Sequence, residues 1–181
     1  DIYATAVDYD SKSEAAQLFF KKVQNKMLWA ITGQTAAELI AARADVGAPN
    51  MGLTTWAGTQ VRQKDVTIAK NYLNAEEIDE LNRVVTMYLE FAEDQARRRK
   101  TMTMTDWADR LDAFLNFNER EVLTHAGKLR AEVAEKLALE RYTAFDSARR
   151  QHAAELADAE DMAALEVLQK TTPIDPGSDQ A

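Results

Sequence analysis

Residues 75–100 read AEEIDELNRVVTMYLEFAEDQARRRK, and this stretch decides the fold class. Ile78, Leu81, Val85, Tyr88 and Ala92 recur at three- and four-residue intervals, the period of a helix with one apolar stripe, and Val84, Leu89 and Phe91 flank it. Asn74 stands three residues ahead of Glu77, the spacing of an N-cap side chain and its N3 acceptor. Glu76, Glu77, Asp79 and Glu80 crowd the first turns, while Arg97, Arg98, Arg99 and Lys100 close the last. Charges in that order match the helix dipole, each contributing about 0.3–1 kcal/mol. The run predicts a helix from Ala75 to about Lys100.

The surroundings extend the same reading. From Thr59 to Thr172 the only glycine is Gly127 and there is no proline, so the turns that several strands would need are missing. No window alternates apolar and polar residues for long. The sequence predicts an all-α, multi-helix bundle with one glycine-rich loop near 47–60. Ser11 with Glu14, and Thr35 with Glu38, repeat the capping spacing. From Ser11, the residues Ala15, Leu18, Phe19, Val23, Met27 and Ala30 mark a helix to about Thr32. A shorter one runs from Ala36 to about Asp45 and stops at Gly47-Ala48-Pro49. Gln63 to Leu73 reads as another short helix. Thr105 or its neighbour opens a helix carrying Trp107, Leu111, Phe114, Leu115 and Val122, with a break around Thr124–Gly127.

Lys128 to Lys170 contains no breaker. One helix of about 43 residues would be about 65 Å long, against a radius of gyration of about 16 Å for a globule of this size. Such a helix either bends back near Tyr142–Thr143 or projects and pairs with a partner. Leu137, Phe145, Ala148, His152, Leu156, Ala159, Ala163 and Val167 keep mostly three- and four-residue spacing, but they are mostly too small for a strong leucine zipper. The expected organisation is one helical domain over 1–170 and a flexible tail over 171–181.

Composition narrows the function. With 22 basic and 30 acidic residues the net charge is -8, which disfavours wrapping a phosphate backbone with the whole surface. No cysteine is present, which excludes disulfides, thiolate nucleophiles and thiolate-held zinc or iron–sulfur clusters in this chain. His125 and His152 form no ligand pair of helical spacing, so neither a metal nor a cofactor is expected. His125 is placed to cap or bridge the break near Gly127. No apolar run reaches the roughly 18 residues a membrane span needs, so no membrane contact is expected.

Two stretches invite a functional reading. Asn50-Met51-Gly52-Leu53-Thr54-Thr55-Trp56, followed by Arg62, gathers hydroxyls, an amide, glycine and tryptophan. It is either a ligand or partner loop, anchored by Trp56 and oriented by Asn50, Thr54, Thr55 and Arg62, or a turn whose Trp56 plugs the core. Arg97-Arg98-Arg99-Lys100 is either a basic patch for nucleic acid or an acidic protein face, or the solvated end of a helix. No phosphate-binding glycine motif occurs.

Five runs resemble the RhuM family of bacterial, pathogenicity-island-associated proteins: DIYATAVDYD (1–10), FFKKVQNKMLWAI (19–31), NMGLTTWAG (50–58), DVTIAKNYLNAEEIDELNRVVTMYLEFAEDQARRR (65–99) and MTMTDWADRLDAFLNFNEREVLTHAGK (102–128). The resemblance covers most of 1–150 and weakens after Arg150. It implies a cytoplasmic, virulence-associated protein and supplies no catalytic residues. In the family these runs follow a part resembling a DNA-binding or phage-antirepressor module, and a chain opening at Asp1 without Met is expected to belong to something longer. Some relatives carry Fic-type domains, but the histidine-centred Fic loop is absent from this sequence.

Two functions compete. The first is an interaction module that self-associates, or binds a protein partner, and regulates or dimerises a DNA-binding part; nucleic acid would then be contacted through that upstream part. The second is a small-ligand-binding or enzymatic domain with a pocket under the 50–56 loop.

Overall fold

The structure, a computed structural model, describes residues 6–98 and 101–171. Among the described residues five α-helices follow one another: α1 (Glu14–Thr32), α2 (Ala36–Arg43), α3 (Ala75–Arg97), α4 (Met104–Phe117) and α5 (Ala131–Thr171). Short 3-10 turns at Pro49–Gly52 and Ala69–Tyr72 punctuate the long α2–α3 connection. Among the described residues the one β feature is an isolated parallel bridge between Ala6 and Met102. The chain is all-α, as residues 75–100 require.

Caps explain most helix starts. Asn74 and Thr35 accept from the N3 amides of Glu77 and Glu38, and those glutamates return the bond, closing two capping boxes. Thr103, with Asp106, builds a third, and α4 begins at Met104, next to Thr105, as expected. The first helix starts later than expected: its cap is Ser13, which accepts from Ala16, rather than Ser11.

Three expectations are corrected. Gln63–Leu73 is not an α-helix; only Ala69–Tyr72 forms a 3-10 turn. Side chains hold that segment in another path, with Asn71 Nδ2 donating to Asp65 O (2.9 Å) and Tyr72 Oη to Val66 O (2.8 Å). Such local bonds offer the backbone an alternative to the helical ladder, and the β-branched run Val66-Thr67-Ile68 weakens that ladder further. Next, α4 ends at Phe117 and leaves Val122 outside it. Arg120 N donates to Leu115 O (2.9 Å) and Glu119 N to Asn116 O (3.0 Å), a Schellman closure with Glu119 in the left-handed region (φ 56°). Last, α5 starts at Ala131 rather than Lys128, and Tyr142 and Thr143 are both helical residues.

The described residues fall into two compact units divided between Tyr142 and Thr143. In the first, Met27 of α1, Val84, Tyr88 and Ala92 of α3, and Trp107, Leu111 and Leu115 of α4 form one buried cluster with Ala6 and Met102. α3 and α4 pack on α1, and Leu81, Val85, Tyr88 and Ala92 of the expected stripe lie in this cluster or against it. A further buried group comprises Leu39, Met51, Val66, Tyr72 and Leu73, where α2 packs on the Ala69–Tyr72 turn. In the second unit the α5 residues carry their own small network. Asp146 is buried and takes both Arg149 and Arg150, the latter at 2.8 Å, while the Arg149 guanidinium lies 5.8 Å over the Phe145 ring. The expected 171–181 tail lies outside the described residues, apart from Thr171.

Candidate functional site

The 50–56 loop is built around a left-handed turn. Asn50, Met51 and Gly52 all have positive φ (53°, 59° and 79°), a conformation that costs L-residues roughly 1–2 kcal/mol each. Met51, fully buried, and Leu53, nearly so, hold it in place; Trp56 is only half-buried, so these two side chains fill the core there and not the tryptophan. Thr54 Oγ1 donates to Leu73 O (2.5 Å) and lies 3.1 Å from Asn71 O, and Thr55 Oγ1 is 3.5 Å from Asn71 Oδ1. Both threonine hydroxyls thus face the Asn71–Leu73 segment. Asn50 and Arg62 are exposed, and Arg62 is placed by its amide, which donates to Asp65 Oδ2 (2.9 Å).

Arg43 does more for this region than any residue singled out from sequence. Its guanidinium forks onto Glu77 (2.5 and 2.6 Å) and also reaches Tyr72 O (2.9 Å), tying the end of α2 to the start of α3. The hydrogen bonds from Arg43 hold the Glu77 carboxyl below its ordinary value of 4.5. A depressed carboxylate contributes stability above its unfolded pKa and loses it as pH falls through the folded one. Glu77→Gln is therefore expected to be less stable than the wild type at neutral pH, with the gap closing below about pH 4.5; urea midpoints at neutral and acid pH measure it. An equal gap at both pH values would contradict the ion pair. Burial pushes the neighbouring Tyr72 hydroxyl up to about 12, so it stays a neutral donor to Val66 throughout.

The basic run is partly neutralised within its own helix. Arg97 pairs with Glu93 (2.6 Å) and Arg98 with Asp94 (3.0 Å), both one turn back and largely exposed. Arg99 and Lys100 lie outside the described residues.

A cleft of about 680 Å³ opens elsewhere, between α1, α4 and the 118–130 connection. Lys22, Asn25 and Lys26 line it from α1, Asp112 from α4, and Leu123, Thr124, His125 and Ala126 from the connection. Lys26 Nζ is clasped by both Asp112 oxygens (2.5 and 2.6 Å). His125 does bridge the break: its Nδ1 accepts from Gly127 N (3.1 Å), and its ring meets Trp29 edge-on at 4.8 Å. Glu38 pins the same connection, accepting from Lys128 N (2.7 Å) and Thr35 N (2.9 Å). Sequence gave no sign of the Lys26–Asp112 pair, because its members stand 86 residues apart. Among the described residues no three His, Asp or Glu side chains gather as a metal site would require, and no helix is long and apolar enough to cross a membrane.

The sequence profile of the virulence protein RhuM family matches residues 1–153. This chain belongs to that family. No curated protein and no solved structure matches it. The RhuM match takes in the whole first unit and ends inside α5, close to Arg150, after which the resemblance weakens. Residues 154–170 of α5, with every side chain exposed, lie beyond it.

Proposed function

We propose that this RhuM-family chain is an interaction module. Its helical body fixes the shape, and the exposed half of α5 is the surface on which a second copy docks. In this reading it dimerises and regulates a DNA-binding part joined to it, and nucleic acid is contacted through that part. One observation supports this above others. From Arg150 to Lys170 every side chain of α5 is exposed, including Leu156, Met162 and Leu165 at 53–60%. Helices in water draw most of their stability from packing an apolar face, and a stretch with none is marginal alone. Exposed large apolar groups along such a stretch suit an interface better than solvent. Light scattering at micromolar concentration tests the idea: a dimer is expected, with Leu156→Glu weakening it about ten-fold or more. A wild-type chain that stays monomeric across that range would sink it.

The Asn50–Trp56 loop gains less support as a ligand site, because its two threonine hydroxyls are engaged with Asn71 and Leu73.

A further inference from the structure

The cleft between α1, α4 and the 118–130 connection is unusual in which polar groups remain unspent. Its single carboxylate, Asp112, is consumed by Lys26 through two short bonds. Asn25 Oδ1 accepts from Ala36 N (2.8 Å), which commits the oxygen and leaves the amide nitrogen to donate. His125 Nδ1 accepts from Gly127 N, which leaves Nε2–H as that ring's donor. Lys22 forms no ion pair among the described residues. The side chains lining this space therefore supply donors from α1 (Lys22, Asn25) and from the 118–130 connection (His125), with one net positive charge and no uncommitted carboxylate.

We propose that this cleft binds the anionic group, carboxylate or phosphate, of a small molecule. Three features prepare it. The orientations of Asn25 and His125 are fixed by backbone amides rather than chosen at the moment of binding, which lowers the ordering cost of recognition. The Lys26–Asp112 pair forms a neutral wall that repels neither charge. Leu123 and Ala126 add apolar lining that would cover the ligand's carbon skeleton, the usual mixture in small-molecule sites. This reading does not depend on the pairing of α5: its residues all lie in the first unit.

The two histidines make the test direct, since His152, exposed on α5, serves as the control for His125. The whole chain is titrated at constant pH and ionic strength with inorganic phosphate and, separately, with acetate, following both imidazoles by proton NMR. His125 is expected to shift saturably with at least one probe while His152 does not move. Lys22→Gln is expected to weaken that binding about ten-fold, the worth of one charge-assisted bond. Saturation by phosphate alone assigns a phosphate group, and saturation by acetate a carboxylate. Parallel drift of both histidines, a linear response without saturation, or unchanged affinity in Lys22→Gln would each overturn the proposal.

Discussion

Gly52→Ala is expected to destabilise the first unit by roughly 3 kcal/mol or more, although it adds a single methyl group. Two costs combine. Gly52 has φ of 79°, where an L-residue loses about 1–2 kcal/mol. The added Cβ would also stand 2.3 Å from Arg43 O, a backbone atom near the end of α2 that cannot swing away as a side chain would. Relieving that clash means pushing α2 off the loop, which disturbs Met51, Leu53 and the Arg43–Glu77 fork together. Gly47→Ala is the matched control: its φ is ordinary, and its nearest neighbour is the Asp45 carboxylate at 3.6 Å. Urea unfolding followed by tryptophan fluorescence reports both, because Trp29, Trp56 and Trp107 all precede Tyr142. Equal midpoints for the two variants would mean that the left-handed turn at 50–52 is not the native one.

That turn also shows what the sequence could and could not disclose. The cluster of Gly47, Pro49, Gly52 and Gly58 announces a loop, and so its place was legible. That Asn50 and Met51 would share the left-handed conformation was not, because neither is glycine and the burial of Met51 supplies the compensation. The same holds at the end of α4. Helix stops are read from glycine, and this one is closed by Glu119 in the left-handed region, with Arg120 anchored on Glu80 of α3. The helix consequently reads on towards Val122 from sequence. Where local chemistry decides the outcome, as in the capping boxes at Thr35 and Asn74 and the acidic first turn of α3, residue patterns were sufficient. Where long-range partners decide it, they were not. The Lys26–Asp112 pair, the Arg43–Glu77 fork and the bonds from Arg141 to Ala41 O (2.8 Å) and Ala44 O (2.5 Å) join residues that no spacing rule connects. The candidate cleft is assembled from such contacts, whereas the loop favoured by its composition directs its threonine hydroxyls at its own neighbours.

Trp107→Ala is the second substitution expected to be severe, at about 3–5 kcal/mol. Trp107 is fully buried in α4, where α1, α3 and α4 meet, in one cluster with Met27, Val84, Tyr88 and Leu111. Its removal leaves a void the size of an indole, and helices held by their own ladders cannot collapse fully into it. The loss also reaches a polar contact, since Tyr88 Oη donates to Trp107 O (3.1 Å) and needs α4 in its present position. Domains of this kind are stable by about 5–15 kcal/mol, so the variant should lose a large share of its stability and unfold at much lower urea. Trp107→Phe keeps an aromatic ring in the site and should cost less. Trp56→Ala, at a half-buried position, should stay near 1 kcal/mol. The order Trp107→Ala well beyond Trp56→Ala discriminates the two tryptophans by where each sits. The reverse order would place the core around the 50–56 loop, and α4 would then not be the helix that closes the bundle.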